Sequence, residues 1–378
     1  MLAGLIAREL GGDTRAQWLT ALAQATTVWG TLTGHWLTPY SLETTQWLLM
    51  FWLLTRWIRV RDDRLLLVLG VVVGFAALTK FQVLLLCAVL VIAVAVCGPK
   101  ALLARPMLWA GALIAGAMAT PTLIWQARHD WPQLQMTDVV AGEAVALYGG
   151  RPGIALQLIV FAGVLGVALT LYGLWLLLRK PQWRQYRFLA VTFVLLFALF
   201  VITQGRPYYL AGLYGPLMAV GANGLPRRRL LVWPLSAASV AWAGVILATS
   251  IALTNVTVET QIAGGAAAHY RALPEAQQER TALIGGSYIV AAYLDDYSVP
   301  MELPPAYSLN RSYGYFPPPP EDQDSALFVG GDPAALRGYF RSVTRTGDVG
   351  DDFGAWLLTG RTTPWDEIWE KERTLTVS

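Results

Sequence analysis

Three cations stand apart from the other charges in the apolar part of this chain. Lys80 sits in ALTKFQ, Arg128 in QARHDW and Arg206 in QGRPYY, each at an end of an apolar run. An ionisable group in such a place is costly to hold near hydrocarbon and usually marks function. If the three converge, they would hold an anion at the membrane surface. A phosphate is the natural choice, with nearby aromatic side chains lining whatever it carries. The competing reading of each is a cation that snorkels to the headgroups. Residues able to line such a site lie close in sequence: His35, Trp36, Thr38 and Glu43 in GHWLTPYSLETT, His129, Asp130 and Trp131 after Arg128, then Glu143, and Tyr208 and Tyr209 after Arg206. His129 beside Asp130 lacks the ligand number and spacing of a metal centre.

The elements that must position these residues are membrane helices. The composition, 55% hydrophobic and 14% charged with a mean hydropathy of +0.46, excludes an ordinary soluble protein. Nine stretches read as spans, at 16–33, 43–58, 65–79, 81–97, 107–126, 154–178, 188–203, 208–224 and 230–253. The first is rich in Thr, Gln and Ala and could instead lie against its neighbours, and the pair around Lys80 has almost no loop between them. The fold expected is therefore a polytopic α-helical membrane bundle over 1–253, followed by a soluble domain over 254–378.

Charge sets the orientation. Residues 1–253 carry 19 Lys and Arg against 8 Asp and Glu, whereas 254–378 carry 9 against 17. One set of helix ends holds fifteen cations (Arg8, Arg15, Arg56, Arg59, Arg61, Arg64, Lys100, Arg105, Arg179, Lys180, Arg184, Arg187, Arg227, Arg228 and Arg229) and the other only Lys80, Arg128, Arg151 and Arg206. By the bias of positive charge to cytoplasmic loops, the N-terminus lies inside and the acidic domain outside a plasma or inner membrane. Cys87 and Cys97 share one expected helix and are roughly 15 Å apart, too far for a disulfide.

The exported domain reads as a small α/β unit. Strands are expected at 281–285, 326–330 and 355–359, and helices at 258–280, 287–296, 333–341 and 364–373, the third capped by Asp332 with Pro333 at its first position. Between them, 304–320 is a stiff Pro-rich loop bearing Tyr307, Tyr313, Tyr315 and Phe316.

The runs LIARELGGDTRAQWLTAL, LTPYSLETTQWLLMFWLL, FAALTKFQVLLL, PTLIWQARHDWPQLQ and GRPYYLAGLYGPLMAVGA, in this order, resemble the GT-C glycosyltransferases of the protein-mannosyltransferase-like superfamily, related to the aminoarabinose transferases of lipid A. The acidic domain resembles the C-terminal domain of one bacterial subgroup, through LIGGSYIVAAYLDDY and PPAYSLNRSY.

The resemblance implies transfer of a sugar, with inversion, from a polyprenyl-phosphate carrier to an extracytoplasmic acceptor in a bacterial cell envelope. It makes Lys80 and Arg206 the contacts of the donor phosphate, with His129, Trp131, Tyr208 and Tyr209 lining the site. The catalytic base stays unidentified. Glu43 is a candidate, although the family's acid follows the proline directly and Tyr40 stands there. No cofactor is assigned with certainty, and a divalent cation stays open. Partners would be the lipid-linked sugar, the acceptor and the bilayer, with no nucleic acid. The Asp-Glu pair of the family's first external loop has no counterpart on the external side of the membrane region, Asp366-Glu367 reading as a helix start, so the chain reads as the later part of a larger transferase. The alternative is a noncatalytic membrane scaffold that presents the acidic domain. A transporter is disfavoured because internal repeats, broken helices and midplane charges are not seen.

Overall fold

A computed structural model of the protein describes residues 1–34, 38–226, 232–254, 258–350 and 353–375. His35, Trp36 and the trio Arg227, Arg228 and Arg229 lie outside the described residues. The chain divides into two compact units, Met1–Ile251 and Ala252–Ser378.

The first unit is built of helices: α1 (Leu2–Glu9), α2 (Thr14–Ala25), α3 (Val28–Thr33), α4 (Pro39–Val60), α5 (Arg64–Thr79), α6 (Gln82–Cys97), α7 (Pro106–Arg128), α8 (Pro132–Tyr148), α9 (Gly150–Val160), α10 (Val164–Arg179), α11 (Arg187–Ile202), α12 (Ala211–Gly224) and α13 (Val232–Thr254). Local chemistry sets several starts. Asp13 accepts the Ala16 N–H ahead of α2, and Pro39 and Pro106 occupy first-turn positions where a missing N–H costs nothing. At the Arg-rich end, Glu9 is buried between Arg56 at 3.0 Å and Arg59 at 2.5 Å, which ties α1 to the last turn of α4.

Two expected spans are broken. The stretch 16–33 divides at Thr26 and Thr27, where Thr27 leaves helical geometry and its hydroxyl accepts the Gly30 N–H to start α3. The stretch 154–178 divides at Phe161–Gly163 into α9 and α10, bent by 95°. The two breaks meet: Val28 N–H donates to the Phe161 carbonyl at 3.0 Å, and Thr26 Oγ1 lies 2.7 Å from Ser239 Oγ of α13. Backbone groups freed by one break are thus satisfied by the other, a condition for irregular backbone in an apolar bundle. Gly163 has φ +76°, and a Cβ there would lie 2.4 Å from the Thr26 carbonyl oxygen, so glycine is required.

Other expectations change as well. The leading residues form α1, and most of the stretch left between the expected spans 107–126 and 154–178 is the helix α8. Among the described residues, three helices are long and apolar enough to cross a bilayer, or four if the bent pair is one span, against about nine expected. Length explains part of the difference: α5 and α6 have 16 residues each, rising about 24 Å against a core of about 30 Å. The first turns of α4 are polar. Close packing replaces length in places: a Cβ on Gly70 of α5 would fall 2.2 Å from the Gly111 carbonyl oxygen of α7. Cys87 and Cys97 are both free thiols.

The second unit contains α14 (Val258–Arg271), α15 (Glu275–Gln278), β1 (Thr281–Gly285), α16 (Tyr288–Asp296), α17 (Ser298–Met301), β2 (Ala306–Tyr307), β3 (Ser325–Gly330), β4 (Phe340–Val349), β5 (Phe353–Arg361) and α18 (Trp365–Glu372). The sheet order is β2-β1-β3-β5-β4, with β1 parallel to β2 and β3, and β5 antiparallel to β3 and β4. Alternate strand residues feed two cores. Leu283, Leu327 and Ala355 meet α14 and α16 on one face, while Ile284, Phe328 and Leu358 meet Trp365, Ile368 and Trp369 of α18 on the other.

The helix expected at 333–341 is not formed. Ala334–Tyr339 is a short 3-10 turn, and the chain then enters β4. Asp332 pairs with Arg337 at 3.0 Å instead of capping, and β4 gains more from its ladder with β5 than from a continued turn. The helix expected at 258–280 stops at Arg271, ahead of Pro274. Within 304–320, Ala306 and Tyr307 add the edge strand β2, and Tyr313 is tied to Asp295 by a 2.7 Å hydrogen bond.

Candidate functional site

Lys80 terminates α5 in extended backbone and only Phe81 separates it from α6, so its side chain is carried on a sharp hairpin corner. Glu43 and Tyr40 lie three residues apart in the first turns of α4, hence on one face of that helix. The turn after Arg206 supplies Tyr208 and Tyr209 ahead of α12. These three corners meet. Lys80 Nζ is 3.2 Å from Glu43 Oε2, and it stands over the rings of Tyr209, Tyr40 and Tyr208 at 4.4, 4.8 and 5.4 Å.

The pair is largely withdrawn from water, with side-chain exposures of 17% for Lys80 and 11% for Glu43. Ring faces attract the ammonium, which helps to offset the water it has lost. The rings brace one another: Tyr208 and Tyr40 share a hydrogen bond of 3.1 Å between their hydroxyls, and Trp29 of α3 stacks on Tyr208 at 3.9 Å. Two amides hold the corners. Gln46 donates to Thr79 Oγ1 at 2.8 Å, and Gln82 donates to the Tyr209 carbonyl at 3.0 Å. Among the described residues, Glu43 Oε1 is buried without a hydrogen-bond partner. An incoming hydroxyl would satisfy it, so one carboxylate holds the lysine with one oxygen and has an acceptor left on the other.

Arg206 lies on the other side of the same turn. It is hydrogen-bonded to the carboxylate of Glu143 and stands over the ring of Tyr148, both on α8. The segment between the expected spans 107–126 and 154–178 therefore contributes a helix face to the Arg206 end of the site.

The structure therefore brings together Lys80, Glu43, Tyr208 and Tyr209, and joins Arg206 to them through a single turn. It corrects the picture of lone cations, since Lys80 and Arg206 each have a carboxylate partner. Arg128 sits exposed at the end of α7, where the contacts described tie it to neither pair. His129 and Trp131 occupy the turn between α7 and α8. The described contacts of His129 are with Trp125, whose carbonyl is 2.7 Å from its Nδ1 and whose ring stacks on it at 4.3 Å. Trp131 is 43% exposed with left-handed backbone. Sequence reasoning missed Tyr40, Gln46, Gln82 and Tyr148 as parts of the site. The helix-start signal Thr38-Pro39 could have placed Tyr40, Glu43 and Gln46 on one face. Among the described residues, no three His, Cys, Asp or Glu side chains gather as a metal site.

Residues 2–125 match the family model of the dolichyl-phosphate-mannose-protein mannosyltransferases. The resemblance read from the motifs is borne out over this stretch. It runs from α1 almost to the end of α7 and includes Tyr40, Glu43 and Lys80, whereas Arg206 and the second unit lie beyond it. The match supports, at the level of the family, a membrane glycosyltransferase. No curated protein and no solved structure matches the chain.

Proposed function

We propose that the protein transfers a sugar from a polyprenyl-phosphate carrier to an acceptor hydroxyl at the extracytoplasmic surface, by a single displacement with inversion. The observation that carries this reading is the buried Lys80–Glu43 pair inside its ring of tyrosines, which falls within the family match.

In the resting arrangement Glu43 occupies the lysine. A donor phosphate takes its place, because the monoanionic phosphodiester held by Lys80 restores the charge balance that the ammonium needs in a poorly hydrated corner. The carboxylate released in this way accepts the proton of the acceptor hydroxyl. The hydroxyl oxygen bonds to the anomeric carbon as the bond from that carbon to the phosphate oxygen breaks. The departing electron pair stays on the lipid phosphate, where Lys80 and then Arg206 stabilise it. Tyr208 and Tyr209 line the corner and keep Lys80 in place beside the incoming donor.

Full-length protein in nanodiscs, supplied with polyprenyl-phosphate sugars and a hydroxyl acceptor, tests the reading. Lys80→Met is expected to abolish transfer. Glu43→Gln is expected to lower turnover by about 100-fold or more while donor binding persists, as for loss of a general base. Unchanged turnover in both variants would overturn the assignment and leave a noncatalytic role for the bundle.

A further inference from the structure

The second unit has a cavity that transfer chemistry in the bundle does not use. Strands β1 and β3 are parallel neighbours, and each ends in a pair of glycines, Gly285-Gly286 and Gly330-Gly331. Their onward connections part there. From β1 the chain passes through α16, packed on one face of the sheet, to β2 on one side. From β3 it passes through the turn Ala334–Tyr339, whose Leu336 belongs to the opposite face, to β4 at the far edge. Adjacent parallel strands that send their connections to opposite faces leave a crevice beyond their carboxyl ends, the usual ligand position in open α/β sheets.

A cavity of about 190 Å³ lies in this crevice. Its apolar wall includes Leu309 and Phe328, and its polar lining is Asn310, Asp332, Glu372 and Thr374. The volume is below the roughly 300 Å³ at which drug-sized pockets begin, so it suits one ring-sized group rather than a nucleotide or an extended chain. Charge narrows the class. Two carboxylates line it and, among the described residues, no lysine or arginine does, although Arg337 reaches Asp332 at 3.0 Å and Lys371 lies 4.0 Å from Glu372. Both cations are engaged by these carboxylates, so the lining offers phosphate no unpaired positive charge, despite the paired glycines and the start of α16 nearby. Asn310 Oδ1 is engaged by the Tyr288 N–H at 3.2 Å, and Glu372 Oε1 accepts from the Tyr339 hydroxyl at 2.5 Å, so the rim is held in place. An apolar wall with carboxylates and a hydroxyl along its edge complements a ring that has C–H groups on its face and O–H groups around it.

We infer that this crevice is a binding site for a single neutral monosaccharide unit, separate from the Lys80 corner. The test uses full-length protein in nanodiscs and saturation-transfer NMR with methyl glucoside, methyl galactoside and methyl mannoside, alongside a free hexosamine and inorganic phosphate. At least one neutral hexoside is expected to give a signal, and phosphate none. Asp332→Ala is expected to weaken that hexoside by about tenfold, as for loss of a charged hydrogen-bonding group. Ala335→Trp, at an exposed position on the cavity edge, is expected to remove the signal. Lys80→Met is expected to leave it unchanged, which separates this site from the proposed transfer site. Absence of any hexoside signal, a signal from the hexosamine alone, or signals equal in wild type and both cavity variants would overturn the inference.

Discussion

Breaking the Lys80–Glu43 pair from one side should cost more than removing it altogether. At 3.2 Å, an effective dielectric of about 20 gives an attraction of roughly 5 kcal/mol, most of which offsets the lost hydration of two side chains exposed by 17% and 11%. Lys80→Met leaves Glu43 charged, buried and without a partner, at a cost of about 3 kcal/mol. Glu43→Gln leaves the ammonium with three tyrosine rings and an amide oxygen, at a cost of about 2 kcal/mol. In the double variant neither charge remains, so the two costs should not add: the loss should be at most that of the worse single variant. The assay is the thermal midpoint of purified protein in one detergent, at one scan rate because unfolding of such bundles is commonly irreversible. At about 2–4 °C per kcal/mol for a unit of this size, Lys80→Met is expected to lower the midpoint by about 6–12 °C. Shifts that add in the double variant would show that the two side chains do not act as a pair, and would refute the reasoning on which the phosphate exchange rests.

Two further outcomes follow from local geometry. Gly163→Ala should destabilise the bundle by about 2 kcal/mol or more, since φ is +76° and the new Cβ would lie 2.4 Å from the Thr26 oxygen, whereas Gly116→Ala, with nothing within 4 Å, should be neutral or stabilising; equal midpoints for the two would count against the broken-helix crossing. In the second unit, partial burial of Glu321 is outweighed by hydrogen bonds from Arg361 and the Trp365 N–H, which hold its carboxyl below the ordinary 4.5. A depressed folded value means stability that is present above pH 4.5 and lost as pH falls through the folded value, so Glu321→Gln should be less stable than wild type at pH 7, by at most about 1 kcal/mol for the lost charge opposite Arg361 on an exposed side chain, and the gap should close below pH 4.5 in a fluorescence-monitored titration.

Much of the site was legible because its signals are local. An isolated lysine between two apolar runs, a proline after threonine at a helix start, and an arginine before Pro-Tyr-Tyr each stand out against their neighbours. The short apolar runs at β1, β3 and β5 were legible for the same reason, since buried strands concentrate hydrophobic residues. Strand β4 was not, because FRSVTRTGDV is an edge strand with few buried side chains. It is held by its ladder to β5, and that ladder leaves no apolar alternation to read. The break at Gly163 was hidden by apolar composition, which continues across it while the backbone turns, whereas the break at Thr27 falls in a stretch whose Thr and Gln content already set it apart.

What composition and spacing determined by themselves is the apolar character of the first unit, the residue types at the corners and the family resemblance, since each depends on the kind of residue and its neighbours along the chain. Only the tertiary structure decided who faces whom. Glu43 meets Lys80 across 37 residues and Glu143 meets Arg206 across 63, so cations that read as lone anion holders are neutralised pairs. Such pairings depend on how helices cross and where they break. A crossing is chosen by the packing of whole faces and by the need to satisfy every buried polar group, a balance that no single segment contains.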